Sequence, residues 1–261
     1  MITTNPYTEL SVHVSSTIMQ TYVVAMILCV AGGTLFDIFH KKSARYFLQN
    51  WRKVRDEGDK ELGRSEIVSL AIKTLLVEGL TSAEFCNASR RIAHLLGMHG
   101  FLVYAITTFI MVFWYPNNST PTPAILPLLW YIGGLLVCVG GYWFWFFIRV
   151  DVTAEGNSPF RVVHADLFIL SLIASNTFGL VWAILQGWGS SWSIIFLTLY
   201  LVATTVLFGS VPWSKFSHMF YKPAAALQKR VEEANGTRRN LPGPANEPET
   251  FGTARGLPRN Y

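Results

Sequence analysis

Residues 125–148 read ILPLLWYIGGLLVCVGGYWFWFFI, 24 consecutive positions without a charged side chain. A helix needs about 20 mostly apolar residues to cross a hydrocarbon core of about 30 Å, and this run exceeds that. In lipid every backbone N–H and C=O must find a partner within its own segment, so the run reads as a membrane-spanning helix. Its end, YWFWFF at 142–147, has the aromatic character of a membrane–water interface.

Four further segments meet the same requirement: 21–39 (TYVVAMILCVAGGTLFDIF), 92–115, 163–186 and 192–211. The chain of 261 residues is 51% hydrophobic and only 14% charged, which is too apolar for an ordinary soluble domain. The expected fold class is an all-α integral membrane protein, a five-transmembrane-helix bundle. A net charge of +5 would suggest nucleic acid in a soluble protein, but in a membrane protein basic residues first report orientation. No nucleic-acid partner is expected. Cys29, Cys86 and Cys138 are far apart and form no CxxC pattern, so the chain itself is not expected to hold a structural zinc or an iron–sulfur cluster. The first twenty residues carry no Lys or Arg, so no cleavable signal peptide is expected there.

Basic residues fix the predicted orientation. Segment 40–93 holds eleven Lys and Arg, the loop after the third span two (Arg149, Arg161), and the region after 211 eight, which is the whole complement of 21. All lie on one side, which the positive-inside rule makes cytoplasmic. The expected organisation is an external segment 1–20 and a five-helix membrane domain 21–212 with a cytoplasmic loop of about 41–91. A cytoplasmic tail 213–261 follows, the whole in the cytoplasmic (inner) membrane. Within the loop, SEIVSLAIKTLLVEGL spaces Ile67, Leu70, Ala71, Leu75 and Leu76 at helical intervals, reading as an amphipathic helix against the membrane or a partner, or as a packed helix in a solvated connector. The tail from about Val231 is rich in Pro, Gly and charge, as disordered segments are.

Topology also sorts the histidines. His13 falls in the polar external segment, whereas His40, His94, His99, His164 and His218 fall at or near cytoplasmic helix ends. Ligand-type residues at membrane depth are functional candidates, and histidines on different helices of an apolar bundle can hold a b-type haem. The competing reading for each is an ordinary interfacial residue. Asp166 reads as a proton-transfer group or as a carboxylate favoured at a helix N-terminus, and Asp37 with His40 as an inner polar pair or simple packing. The pairs Gly32-Gly33, Gly133-Gly134 and Gly140-Gly141 mark close approach of helices or a cofactor.

Two stretches carry a resemblance. Pro212-Trp213-Ser214-Lys215-Phe216-Ser217-His218-Met219-Phe220 resembles the helix ending of the nitrate reductase gamma subunit-like family of membrane cytochromes b. Arg90-Arg91-Ile92-Ala93-His94, continuing to Gly100-Phe101, is similar to the helix opening in sulfur-pathway members, including the adenylylsulfate reductase membrane anchor and the membrane subunit of the quinone-interacting oxidoreductase. The resemblance implies a membrane anchor that transfers electrons between a quinone and cytoplasmic iron–sulfur or flavin redox subunits through haem b. It implies His94 and His218 as ligands of one haem iron, with Arg90, Arg91 and Lys215 placed for its propionates.

The sequence also departs from that family. Where the second haem's ligands are expected stand Tyr104 and Tyr200, which implies that the outer haem is missing. His99 is five residues from His94 and points about 140° away around the helix. It is open to a second haem with His164, to a quinone or proton role, or to packing. The alternatives for the whole chain are a haem-free structural anchor recruiting a partner enzyme, or a quinone-binding anchor without haem. A transporter is disfavoured, because paired interrupted helices and mid-membrane charge are lacking.

Overall fold

A computed structural model describes residues 2–40, 43–82, 85, 87–150, 156, 158–163, 166–213, 218–237 and 241. Among them the structure is all-helical, with no strand. The chain divides into two compact units, Met1–His40 with Ser82–Ser217, and Lys41–Thr81 with His218–Tyr261.

The first unit holds α1 (Pro6–Leu10), α2 (Ser16–His40), α5 (Ala88–Trp114), α6 (Ile125–Trp143, continued by a π turn to Ile148), α7 (Leu167–Gly187) and α8 (Ser193–Gly209). The five long helices pack in a closed ring in the order α2, α5, α6, α7, α8 and back to α2. Four of them, Ser16–His40, Ala88–Trp114, Ile125–Ile148 and Leu167–Gly187, are long and apolar enough to cross a membrane. The fifth, Ser193–Gly209, is a shorter apolar helix of 17 residues.

Glycines set how closely the ring packs. A Cβ on Gly100 would lie 2.7 Å from Gly133 O, and one on Gly140 would lie 2.6 Å from Ala93 O, so α5 and α6 touch backbone to backbone along their length. Gly33 of α2 abuts Val211, where a Cβ would come within 2.9 Å. Gly33, Gly133, Gly134, Gly140 and Gly141 are thus close-contact positions, one of the two roles the pairs suggest, whereas a Cβ on Gly32 would meet nothing within 4 Å.

α1 is short and begins where Asn5 caps it, its Oδ1 accepting from the N–H groups of Tyr7 (3.0 Å) and Thr8 (3.4 Å), with Pro6 in the first turn. Asn5 Nδ2 and Thr8 Oγ1 both donate to Tyr115 O at 3.0 Å, and Gln186 Nε2 donates to Pro6 O at 2.8 Å. These bonds tie α1 to one end of the ring, against α5 and α7. Sequence reading treats 1–20 as a polar external segment and does not anticipate this packed helix; the Asn-Pro start is its only local signal.

The second unit contains α3 (Ser43–Asp56), α4 (Arg64–Thr74, continued by a π turn Leu75–Gly79) and α9 (His218–Asn235). α9 packs on both α3 and α4. Asn235 locks the end of α9 to the last turn of α3 and the segment after it: its side chain donates to Val54 O at 2.7 Å and its carbonyl accepts from Lys60 N–H at 3.2 Å. Val54, Val231 and Glu232 are fully enclosed here. Residues 231–235, which composition assigns to a disordered tail, therefore complete a packed helix.

Candidate functional site

The polar end of α5 concentrates the residues singled out from sequence. Asn87 caps the helix, its Oδ1 accepting from Arg90 N–H at 3.1 Å, and this start places Arg90, Arg91 and His94 on the first two turns. All three are half-buried. His94 Nδ1 lies 3.0 Å from Ser82 Oγ, and its ring packs on Phe85 at 5.0 Å between centroids. Ser82 is itself buried and adopts a left-handed backbone with φ of 48°, a conformation uncommon outside glycine and held here by its surroundings. One turn further on, His99 Nδ1–H donates to Leu95 O at 3.0 Å, which leaves Nε2 as the nitrogen able to accept a proton or a ligand.

Of the remaining residues, His218 is the first residue of α9 and belongs to the other unit. Lys215 and His164 lie outside the described residues. His40 stacks on Phe36 with rings 5.0 Å apart and 11° from parallel, and Asp37 is buried at 2% exposure. His13 is exposed, as expected for a surface position.

The same end of the ring holds a buried ion pair. Arg149, just past the π turn that ends α6, is 1% exposed, and its Nη2 donates to Asp166 Oδ2 at 2.5 Å. Its two amino groups also donate to the carbonyls of Ser158 (2.8 Å) and Arg161 (2.7 Å), and its guanidinium lies 4.2 Å from the Trp145 ring centroid. Asp166 Oδ2 accepts from Val163 N–H at 2.9 Å as well. Asp166 thus closes the α6–α7 connection against Arg149, and its side chain accepts no cap bond from the N–H groups of α7. Sequence reading counts Arg149 only as a loop cation. The available signal is an arginine directly after one apolar helix and an aspartate directly before the next.

The opposite end of the ring is aromatic. Tyr104 stacks on Trp130 at 4.8 Å, Tyr200 stacks on Trp182 at 5.7 Å, and Tyr7 of α1 packs against both tryptophans. Tyr7 Oη lies 3.1 Å from Tyr200 Oη, and Trp130 Nε1–H donates to Thr108 Oγ1 at 2.9 Å. Gly179 makes the space: a Cβ there would sit 2.7 Å from Tyr104 Oη and 3.1 Å from the Tyr200 ring. Burial, with the Tyr200 hydroxyl beside it, holds the Tyr7 phenol well above its ordinary pKa, so it acts as a neutral hydrogen-bonding group. Tyr104 and Tyr200 are core-packing residues here. Among the described residues no group of three or more His, Cys, Asp or Glu side chains is arranged to hold a metal ion.

Taken together, these features define a helical bundle with four helices long and apolar enough to cross a membrane, one aromatic end and one end rich in arginine and histidine. A family model described as "Citrate utilization protein B" matches residues 22–239, and the chain belongs to that family. It is similar to Citrate utilization protein B of Escherichia coli, with 23% identity over 204 residues, covering 74% of this chain and 53% of the relative. The chain therefore spans about half the length of that curated relative. No solved structure matches the chain.

This membership corrects the resemblance to nitrate reductase gamma subunit-like cytochromes b. With it falls the electron-transfer role for a sulfur-pathway enzyme, adenylylsulfate reductase included, through haem b. The physical reason is the low specificity of the two motifs. Arginine, lysine, histidine and aromatic side chains are favoured at the cytoplasmic edge of any spanning helix. RRIAH and PWSKFSH therefore combine residues that the membrane edge itself selects, whereas the family match rests on residues 22–239 as a whole.

Proposed function

We propose that this chain is the membrane-embedded component of a citrate-utilization system, acting at the cytoplasmic face. The match to the citrate utilization protein B family over residues 22–239 carries the proposal. The reading includes five crossings of the cytoplasmic membrane, the N-terminus outside and the C-terminus inside. α8 has 17 residues, about 26 Å of helix. Exposed Trp192 and Trp213 flank it as interfacial anchors, and tilt or local thinning accommodates so small a mismatch. The one-sided distribution of Lys and Arg supports the orientation.

The bundle itself is not the route by which citrate crosses. A tricarboxylate in the hydrocarbon region needs cationic partners, and α6, α7 and α8 contain no Asp, Glu, Lys, Arg or His. α5 has none beyond His99, and the end held by α1 is filled with tyrosine and tryptophan. Arg90, Arg91 and His94 are the residues proposed to carry function at the cytoplasmic face.

Deletion of the chain is expected to abolish growth on citrate as carbon source, with complementation restoring it. Arg90→Ala, Arg91→Ala and His94→Ala variants should restore growth poorly while accumulating in membranes like the native chain. Undiminished growth of the deletion strain would overturn the proposal, and uptake of labelled citrate by proteoliposomes of the chain alone would overturn the non-transport reading. A phosphatase fusion in the 116–124 loop should be active, and a fluorescent protein at the C-terminus should fluoresce.

A further inference from the structure

α4 of the second unit is apolar on two faces. One face, with Ile67, Leu70, Ala71, Thr74 and Val77, is half-buried or buried within its own unit, where α4 and the π turn both pack on α9. The other face carries Val68 (57% exposed), Ile72 (54%), Leu75 (57%), Leu76 (54%) and Leu80 (48%). Steps of four, three, one and four residues put these five along one side of a helix, and among the described residues none covers them. A soluble surface does not keep such a continuous apolar stripe without an occupant.

Charge indicates the occupant. Residues 41–81 and 218–261 contain sixteen of the 21 basic residues and ten of the 16 acidic ones, a net of +6, whereas the rest of the chain is close to neutral. Arg45, Arg52, Lys53 and Arg55 of α3 and Lys73 of α4 are exposed. The insertion 41–81 is joined by the chain to α2 and α5, two helices long enough to span a membrane. A helix with one uncovered apolar face, in a cationic unit tethered on both sides to helices long enough to span, matches an anionic leaflet in both of its components, apolar area and charge.

We propose that the Val68–Ile72–Leu75–Leu76–Leu80 face lies in the headgroup region of an anionic cytoplasmic leaflet, so that α4 is an interfacial helix. This inference rests on the membrane-spanning reading of the bundle, and recovery of the full chain in alkali-washed membranes tests that reading separately.

The test uses the full chain with Cys29→Ser, Cys86→Ser and Cys138→Ser, reconstituted into nanodiscs of phosphatidylcholine with or without phosphatidylglycerol. Nitroxide labels at Val68→Cys, Ile72→Cys and Leu76→Cys report collision rates with oxygen, which concentrates in lipid, and with a nickel chelate, which stays in water. With phosphatidylglycerol the three sites should favour oxygen, while Glu61→Cys in the connecting turn should favour the nickel chelate. Omitting the anionic lipid or raising salt should shift the three sites toward nickel access. Nickel access equal to that at Glu61 in anionic discs would overturn the proposal, as would shielding from both reagents, which marks a second copy of the chain as the occupant.

Discussion

The two ends of the helical ring are built from different chemistry. At the α1 end, stability comes from fitted aromatic surface: Tyr7, Tyr104, Trp130, Trp182 and Tyr200 interlock, with neutral hydrogen bonds between Tyr7 and Tyr200 and from Trp130 to Thr108. At the other end it comes from charge: the enclosed Arg149–Asp166 pair, with Arg90, Arg91 and His94 half-buried nearby on the first turns of α5. Aromatic packing tolerates the loss of one hydrogen bond, since most of the area stays in contact. A buried ion pair does not tolerate the loss of one partner, because the other charge is left without compensation. The comparison teaches where the fold is brittle.

The largest expected effect is therefore at the charged end. Arg149→Met should leave Asp166 buried without its cation and free the carbonyls of Ser158 and Arg161, costing about 3–5 kcal/mol. Thermal unfolding of the purified chain in mild detergent measures this. The double variant Arg149→Met/Asp166→Leu should recover much of the loss, because an apolar pair of similar volume often substitutes for a buried ion pair at little cost. A double variant no better than the single one would show that the carbonyl bonds, and not the charge pair, hold the α6–α7 connection.

Next come the glycines that run between the two ends. Gly140→Val and Gly100→Val each force a side chain onto backbone atoms of the neighbouring helix, and overpacking of this kind costs about 1–3 kcal/mol or more. Gly97→Ala is the control. A Cβ there meets nothing within 4 Å, so it should be neutral or stabilising by about 0.5–1 kcal/mol through helix propensity. Equal destabilisation by all three would mean that α5 and α6 do not cross where these glycines meet.

A smaller effect is expected from the cap of α1. Asn5→Ala removes the acceptor for the N–H groups of Tyr7 and Thr8 and the bond to Tyr115 O, which should cost about 1–2 kcal/mol. Proteolysis of the N-terminal segment in intact vesicles should accelerate if α1 then detaches.

What sequence reading recovers follows from how local each signal is. The run 125–148 appears with its expected limits as α6 and its π turn, because length and hydropathy alone determine a span. Five of the six paired glycines are legible as contacts, because a missing side chain on an apolar helix has few other uses; Gly32 is the exception. The limits of 163–186 shift to Leu167–Gly187, since Asp166 is engaged by Arg149, a partner 17 residues away that periodicity does not reveal. α1 and the packed end of α9 were missed for the same reason: Asn5 and Asn235 act through backbone groups of Tyr115 and Val54, more than a hundred residues distant. At the candidate site the histidines and arginines were visible, but their residue types are those any membrane edge collects, so they did not identify the family.

The finest discrimination between the two ends is offered by Tyr7→Phe. The ring stays against Trp130 and Trp182, at 6.0 and 5.6 Å, so the apolar burial of α1 is unchanged. Only the hydroxyl is lost, and with it the 3.1 Å contact to Tyr200 Oη and the longer 3.5 Å contact to Thr108 Oγ1. A single neutral hydrogen bond contributes about 0.5–1.5 kcal/mol net, and Thr108 keeps its bond from Trp130, so the loss should fall toward the lower part of that range. Tyr200→Phe should cost a similar amount, and the double variant little more than either single one, because both remove the same bond. A loss for Tyr7→Phe as large as that for Arg149→Met would show that the aromatic end is held by its hydroxyl network, with ring packing secondary.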